Sequence, residues 1–282
     1  MSSTIVCGVN RSAEAASAAR VAGALARRLG SRLELVYVSE PRARPEPNVV
    51  SAVRQAVREQ LEWDDVEVLV VSGAVAARVL EAAEHALLVV VGTRGEGALR
   101  RTLFGSVSAE LVRRPSRPVL VVPARAASRP ALHGRAIVCG LRDAGDLPCL
   151  WTAARLASGL GLAVTAIHVR PPLRTPVVRA AGAAPVPGRA GPAAPGPAQG
   201  ALPKSLRVAI AALSSPVDVR VHSGPPGAEL ARAAVEEAAA IVGVGASDHS
   251  PLGATIAGSA LHHLLRSGER PLLVCPRPAQ GA

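Results

Sequence analysis

Between Val89 and Ser108 a short apolar run ends at Gly92, two residues intervene before Gly95, and nine more before Gly105-Ser106. Glycines at the end of an apolar run remove side chains where a ligand could approach the backbone, and they can adopt positive φ. Gly105 and Ser106 then open a helical-looking segment, whose free N–H groups and dipole attract an anion. The Ser106 and Ser108 hydroxyls offer further donors, and Arg94, Arg100 and Arg101 add positive charge nearby. These residue types in this order suit a phosphate chain. The plainer alternative is that the glycines make tight turns and Ser106 caps a helix.

Other chemistries find less support. The lysine-bearing loop G-x-x-x-x-G-K-[ST] is absent, and neither Gly95-Glu96-Gly97 nor Gly243-Val244-Gly245 completes G-x-G-x-x-G. Gly105-Ser106-Val107-Ser108-Ala109 is not the strained G-x-S-x-G elbow of a serine hydrolase. The seven histidines have no ligand spacing, and His262 and His263 are adjacent. Cys7, Cys139, Cys149 and Cys275 contain no C-x-x-C pair, so no metal site is expected. No carboxylates converge by spacing, so no catalytic residue is assigned, and any turnover of a bound phosphate chain would be slow.

The elements that must hold this loop are written twice. TIVCGV (Thr4 to Val9) recurs as AIVCGL (Ala136 to Leu141), each followed by an Ala-rich helical stretch. The first is expected from Ser12 to Leu29, capped by Ser12 and ended by Gly30; the second from Leu150 to Leu160, ended by Gly161. Strands LELVYV and AVTAIHV follow, then VEVLVVSG and VDVRVHSG, with helices from Ala76 to Glu84 and from Ala228 to Ala239. ALLVVVG and AIVGVG come next, and proline-led PVLVV and PLLVC close the halves. Alternating strands and helices with unbroken Val/Leu/Ile runs predict parallel sheets buried on both faces. Two α/β domains result, 1–124 and 134–277. Cys7 and Cys139 lie 132 positions apart but Gly92 and Gly245 lie 153, so the second half holds 21 more residues. They fall in a Pro/Ala/Gly-rich stretch, about 171–202, that reads as a mobile surface insertion.

The spacing Gly92-x2-Gly95-x9-Gly105-Ser106 resembles the signature of the universal stress protein family, and the likeness runs through nearly the whole chain as two copies. The resemblance implies two tandem Rossmann-like (adenine nucleotide alpha hydrolase-like) domains, each a five-stranded parallel sheet with helices on both faces. It implies an ATP site in the first copy, taking ATP with or without Mg, or ADP or AMP. Gly92 would lie near the ribose, and Arg94 is counted among the binding residues for its charge. Gly95, Gly105, Ser106, the Val107 amide and Ser108 would meet the phosphates. The adenine-side positions fall on Asn10, where the family usually has Asp, and on Val38. In the second copy Gly245, Asp248, Gly258 and Ser259 keep the spacing. Asp248 sets a carboxylate against phosphate, and Arg142 replaces the acidic residue, so this copy is expected not to bind ATP. The family's final strands pair two domains across a dyad; here Pro118–Val122 and Pro271–Cys275 would do so within one chain, with a homodimer as a further option.

Composition bounds the partners. The chain is 49% hydrophobic and 19% charged over 282 residues, enough for a sizeable core. Aromatics at 1% exclude a stacking platform for single-stranded nucleic acid. The net charge of +11 is spread along the chain, mostly as Arg, and reads as a solvated surface. No specific nucleic acid is expected. No run reaches the ~20 apolar residues of a membrane helix, and MSSTIVCGV is no signal peptide, so a cytoplasmic protein without a membrane partner is expected. Two functions stand at this point: a nucleotide-binding stress or regulatory module, and a non-nucleotide interaction module that uses the pairing strands or the Pro-rich insertion.

Overall fold

The computed structural model describes residues 3–39, 55, 66–93, 105–113, 115–123, 132–170, 202–213, 216–246, 260–267 and 270–278. The first half runs β1 (Thr4–Val9), α1 (Ala13–Leu29), β2 (Arg32–Ser39), β3 (Val66–Ser72), α2 (Val75–Ala82), β4 (Leu88–Gly92), α3 (Ser106–Arg113) and β5 (Val119–Val122). The second runs β6 (Ala136–Gly140), a 3₁₀ turn (Ala144–Asp146), α4 (Leu147–Leu160), β7 (Ala163–Arg170), α5 (Lys204–Ala211), β8 (Val217–Ser223), α6 (Pro226–Glu236), β9 (Ala239–Gly245), α7 (Ala260–Ser267) and β10 (Leu272–Cys275). The insertion call lies, apart from Leu202, outside the described residues.

All ten strands form one sheet in the order β3-β2-β1-β4-β5-β10-β9-β6-β7-β8. Each half contributes five parallel strands, as the apolar runs predicted. The halves meet where β5 and β10 pair antiparallel, Leu120 opposite Leu273, with Val119 opposite Val274 and Val121 opposite Leu272. All these residues are buried. The expected pairing of the final strands therefore takes place inside this chain.

Helices cover both faces. One layer, α1, α4 and α5, packs on the sheet through Ala18, Ala22, Leu25, Leu150, Leu156 and Leu206. The other, α2, α3, α6 and α7, uses Val79, Leu111, Leu230 and Leu264. Each such Leu or Val side chain, fully removed from water, contributes roughly 1.5–3 kcal/mol. Alanines dominate α1 because it is squeezed: sheet lies below, and α4 beside it brings Gly159 so close that Leu29 fills the space of a Cβ there.

Local signals account for the ends of α1. The Ser12 hydroxyl accepts the N–H of Ala15 at 3.1 Å, and Gly30 closes the helix at φ 59°. The start of α4 differs from expectation, at Leu147 in place of Leu150. Pro148 sits in its first turn, where a missing N–H costs nothing. The 3₁₀ turn before it is tied by Asp143, whose carboxylate accepts the Gly145 N–H at 2.7 Å.

The second half also gathers Cys139, Cys149 and Cys275 in the core, all fully buried. A Cβ on Gly243 would lie 2.9 Å from the Cys149 sulfur and 3.0 Å from that of Cys139. Hydrogen bonding to Cys139 and Cys275, with burial, pushes the Cys149 thiol up. Buried in the core, these thiols pack as small hydrophobes. Among the described residues no group of three ligating side chains could hold a metal ion.

Candidate functional site

In the first half the chain winds from β1 outward to β2 and β3, then returns to the other side of β1 as β4 and β5. The strand order reverses between β1 and β4, where a crevice opens beyond the carboxyl ends. Most of the sequence-predicted residues come to that edge. Asn10 follows β1, Val38 lies near the end of β2, Gly92 closes β4, and Gly105 precedes α3, whose first turn holds Ser106, Val107 and Ser108. In the register that sets Cys7 against Val90 and Val9 against Tyr37, Asn10 stands level with Thr93 and Val38. Arg94 and Gly95, like Arg100 and Arg101, lie outside the described residues.

Thr93 organises the crevice, and sequence reasoning passed over it. Its N–H donates to Val122 O at 3.0 Å, anchoring the end of β4 to β5. Its carbonyl oxygen accepts the Gly105 N–H at 2.7 Å and the buried Ser108 hydroxyl at 3.0 Å. Ser108 Oγ also lies 3.1 Å from Gly105 O. These bonds hold the first turn of α3 at the tip of β4. The one available signal was two hydrogen-bonding residues, Thr93 and Ser108, flanking the glycine loop.

Three details differ from the sequence expectation. Ser108 turns its hydroxyl inward, so it clamps the loop and offers nothing outward. The Gly105 amide is likewise engaged by Thr93. Gly92 is not among the glycines at positive φ. Its bareness has a packing cause: a Cβ there would stand 2.9 Å from the carbonyl oxygen of Glu14, in the first turn of α1. Ser106 keeps an exposed side chain, and with Val107 and Ser108 it forms the first turn of α3. Orphan N–H groups at a helix start are donors for an anion. Asn10 spends its carbonyl oxygen on the Ser12 N–H at 2.9 Å, shaping the turn into α1 and leaving its amide nitrogen as donor.

At the corresponding strand ends of the second half the protein sets its own charges. Gly245 is the counterpart of Gly92, and Asp146 that of Glu14. Here the Asp146 carboxylate itself occupies the space of a Gly245 Cβ. It accepts the Arg142 N–H at 2.7 Å, with the Arg142 Nε at 3.4 Å, and faces Arg277 Nη1 at 3.5 Å. Arg277, 5% exposed, also donates to Asp143 at 2.6 Å. Burial alone would raise Asp143. The Arg277 and Gly145 hydrogen bonds, with the charges of Arg277 and Arg142, outweigh it and hold this carboxyl below its usual range. Asp248, Gly258 and Ser259 lie outside the described residues. A cavity of about 250 Å³ in this half lies away from the strand ends, walled by Ala234, Val242, Leu264 and Leu272 and rimmed by Arg232 and Arg270.

Comparison with known proteins adds to this geometry. The model of the universal stress protein family matches residues 1–123 and 136–276. Universal stress proteins of Mycobacterium tuberculosis and Mycobacterium bovis are each 35% identical over 123 residues, which cover 43% of this chain and 41% of theirs. The match thus spans less than half the length of these relatives. The crystal structure of a universal stress protein from Archaeoglobus fulgidus aligns with a TM-score of 0.67 over 98% of both chains, at 18% identity. At that identity the likeness speaks to the fold alone.

Proposed function

The chain belongs to the universal stress protein family, and on that premise we propose that its first half holds an adenine nucleotide, ATP foremost, as a regulatory module of a stress response. The observation that supports this reading is the Thr93 clamp, which ties the start of α3 to the end of β4. The residues present fit the ligand. Backbone N–H groups of Ser106, Val107 and Ser108 with the Ser106 hydroxyl suit phosphate oxygens, and the Asn10 amide with the β2 end at Val38 suits the base. Arg94 and Gly95, from the loop between them, complete the proposed set. ADP or AMP, and Mg carried by ATP, fit the same description.

Domains of 1–124 and 134–277 follow from this reading, one live and one closed. In the second, a buried carboxylate paired with two arginines stands where a nucleotide would enter. Binding, and not turnover, is the proposed activity, since among the described residues no pair of carboxylates converges on the crevice. An interaction module working through the pairing strands is disfavoured, because β5 and β10 already satisfy one another.

Isothermal titration with ATP should give one site per chain. At a free concentration one hundred times Kd, ATP should add roughly 2.7 kcal/mol to the unfolding free energy. No heat and no thermal shift with ATP, ADP or AMP would overturn the proposal. Two sites per chain would overturn the assignment of a closed second half.

A further inference from the structure

The positive charge looked scattered in the sequence, but the fold sorts it. Helices α1, α4 and α5, which share one face of the sheet, carry Arg20, Arg27, Arg28, Arg155, Lys204 and Arg207 against a single carboxylate, Glu14. All six cations are exposed. The four helices of the opposite face carry four cations and four carboxylates. The basic excess of the described helices therefore belongs to one layer. Its parts adjoin: α1 packs against α4, and α5 against the 3₁₀ turn that leads into α4.

This layer also displays apolar groups. Trp151 on α4 is 52% exposed and Val208 on α5 is 64% exposed. Among the described Phe, Tyr and Trp residues Trp151 is the one exposed ring. On α4 the spacing of Trp151, Arg155 and Ser158 puts them on one outward stripe, as it does Lys204, Arg207, Val208 and Ala211 on α5.

We propose that the α1–α4–α5 layer is a docking face for an anionic lipid surface. Charge alone would serve a nucleic-acid backbone equally well. The ring and the valine decide between them. An indole one helical turn from Arg155 on a basic layer suits the headgroup region, where its apolar body and polar N–H are both satisfied. A duplex backbone has no use for either. The contact is peripheral, for no helix among the described residues is long and apolar enough to cross a membrane. It is independent of the nucleotide reading, since neither Asn10 nor α3 lies in the charged stripes.

The test uses the full chain with Trp63→Phe, which leaves Trp151 as its sole tryptophan. Folding is checked first by circular dichroism. Phosphatidylcholine vesicles with and without phosphatidylglycerol are added at low salt, and co-sedimentation and emission are read. Binding to the anionic vesicles alone, lost at high salt, with a blue shift of Trp151, supports the proposal. Arg155→Ala and Arg207→Ala should each weaken binding about fivefold, while Arg266→Ala, exposed on the opposite layer, should not. The proposal is overturned by absence of binding, by equal weakening in the Arg266 variant, or by an unshifted Trp151. It is equally overturned if the protein retains duplex DNA but not vesicles.

Discussion

The hydroxyl of Ser108 reaches the carbonyl oxygen of Thr93 at 3.0 Å, across fifteen residues of sequence, and is buried. Ser106, two residues earlier in the same helix, is exposed. The two serines should therefore fail differently. Ser108→Ala should lower stability by about 1 kcal/mol and weaken ATP binding by loosening the start of α3. Ser106→Ala should change stability by less than about 0.5 kcal/mol yet weaken ATP binding about tenfold, as loss of a charge-assisted bond would. Urea denaturation beside titration with ATP separates them; identical behaviour would contradict the division of labour.

Gly92→Ala should be destabilising although it adds only a methyl group. Its Cβ would meet backbone, the Glu14 carbonyl, which cannot rotate aside as a side chain could. Overpacking of this kind costs about 1–3 kcal/mol, measurable as a lower urea midpoint with unchanged slope. A neutral result would mean that α1 can shift at its first turn.

Asp146→Ala leaves two arginines facing an empty space in the second half. Arg277 keeps Asp143 but loses a partner while only 5% exposed. Breaking a buried pair from one side costs about 3 kcal/mol, read from the same denaturation curves. Nucleotide affinity of the first half should not change.

Acid should act through this network. The Asp143 carboxyl is held below its usual range in the folded chain, so the unfolded state binds protons first as pH falls. Its contribution is complete above the ordinary aspartate value of ~3.9 and is lost as pH drops through the depressed one. Glu229 follows the same sign, lowered by Arg232 and His222 against the effect of its burial. Asp143→Asn should therefore lower the urea midpoint near neutrality and flatten its fall on acidification. An unaltered acid profile would show that Asp143 is not part of the linkage.

Much of this architecture was legible in the residues, for identifiable reasons. Continuous apolar runs report strands buried on both faces, and Ser12 and Gly30 report helix ends because their roles are local. The duplicated IVCG stretch reported two equivalent halves, while their junction was implied by the resemblance to the universal stress protein family. What escaped reading depends on contacts distant in sequence. Nothing near Gly92 reveals that the α1 backbone will press against it, and nothing near Asp143 announces Arg277. Ser108 looked like a ligand donor because composition does not say which way a hydroxyl points. The segregation of arginines escaped for the same reason: Arg27 and Arg155 become neighbours in one layer only once α1 and α4 pack side by side.

The antiparallel junction of Leu120 with Leu273 has a consequence for biosynthesis. Until Leu272–Cys275 leaves the ribosome, β5 has a bare flank of unsatisfied N–H and carbonyl groups. At 5–20 residues per second the roughly 150 intervening residues take about 8–30 s to appear. For that interval the nascent chain offers a ready template for mispairing with its neighbours on the same messenger. Completion of the second half is what retires the hazard, which gives that half a protective value independent of any ligand.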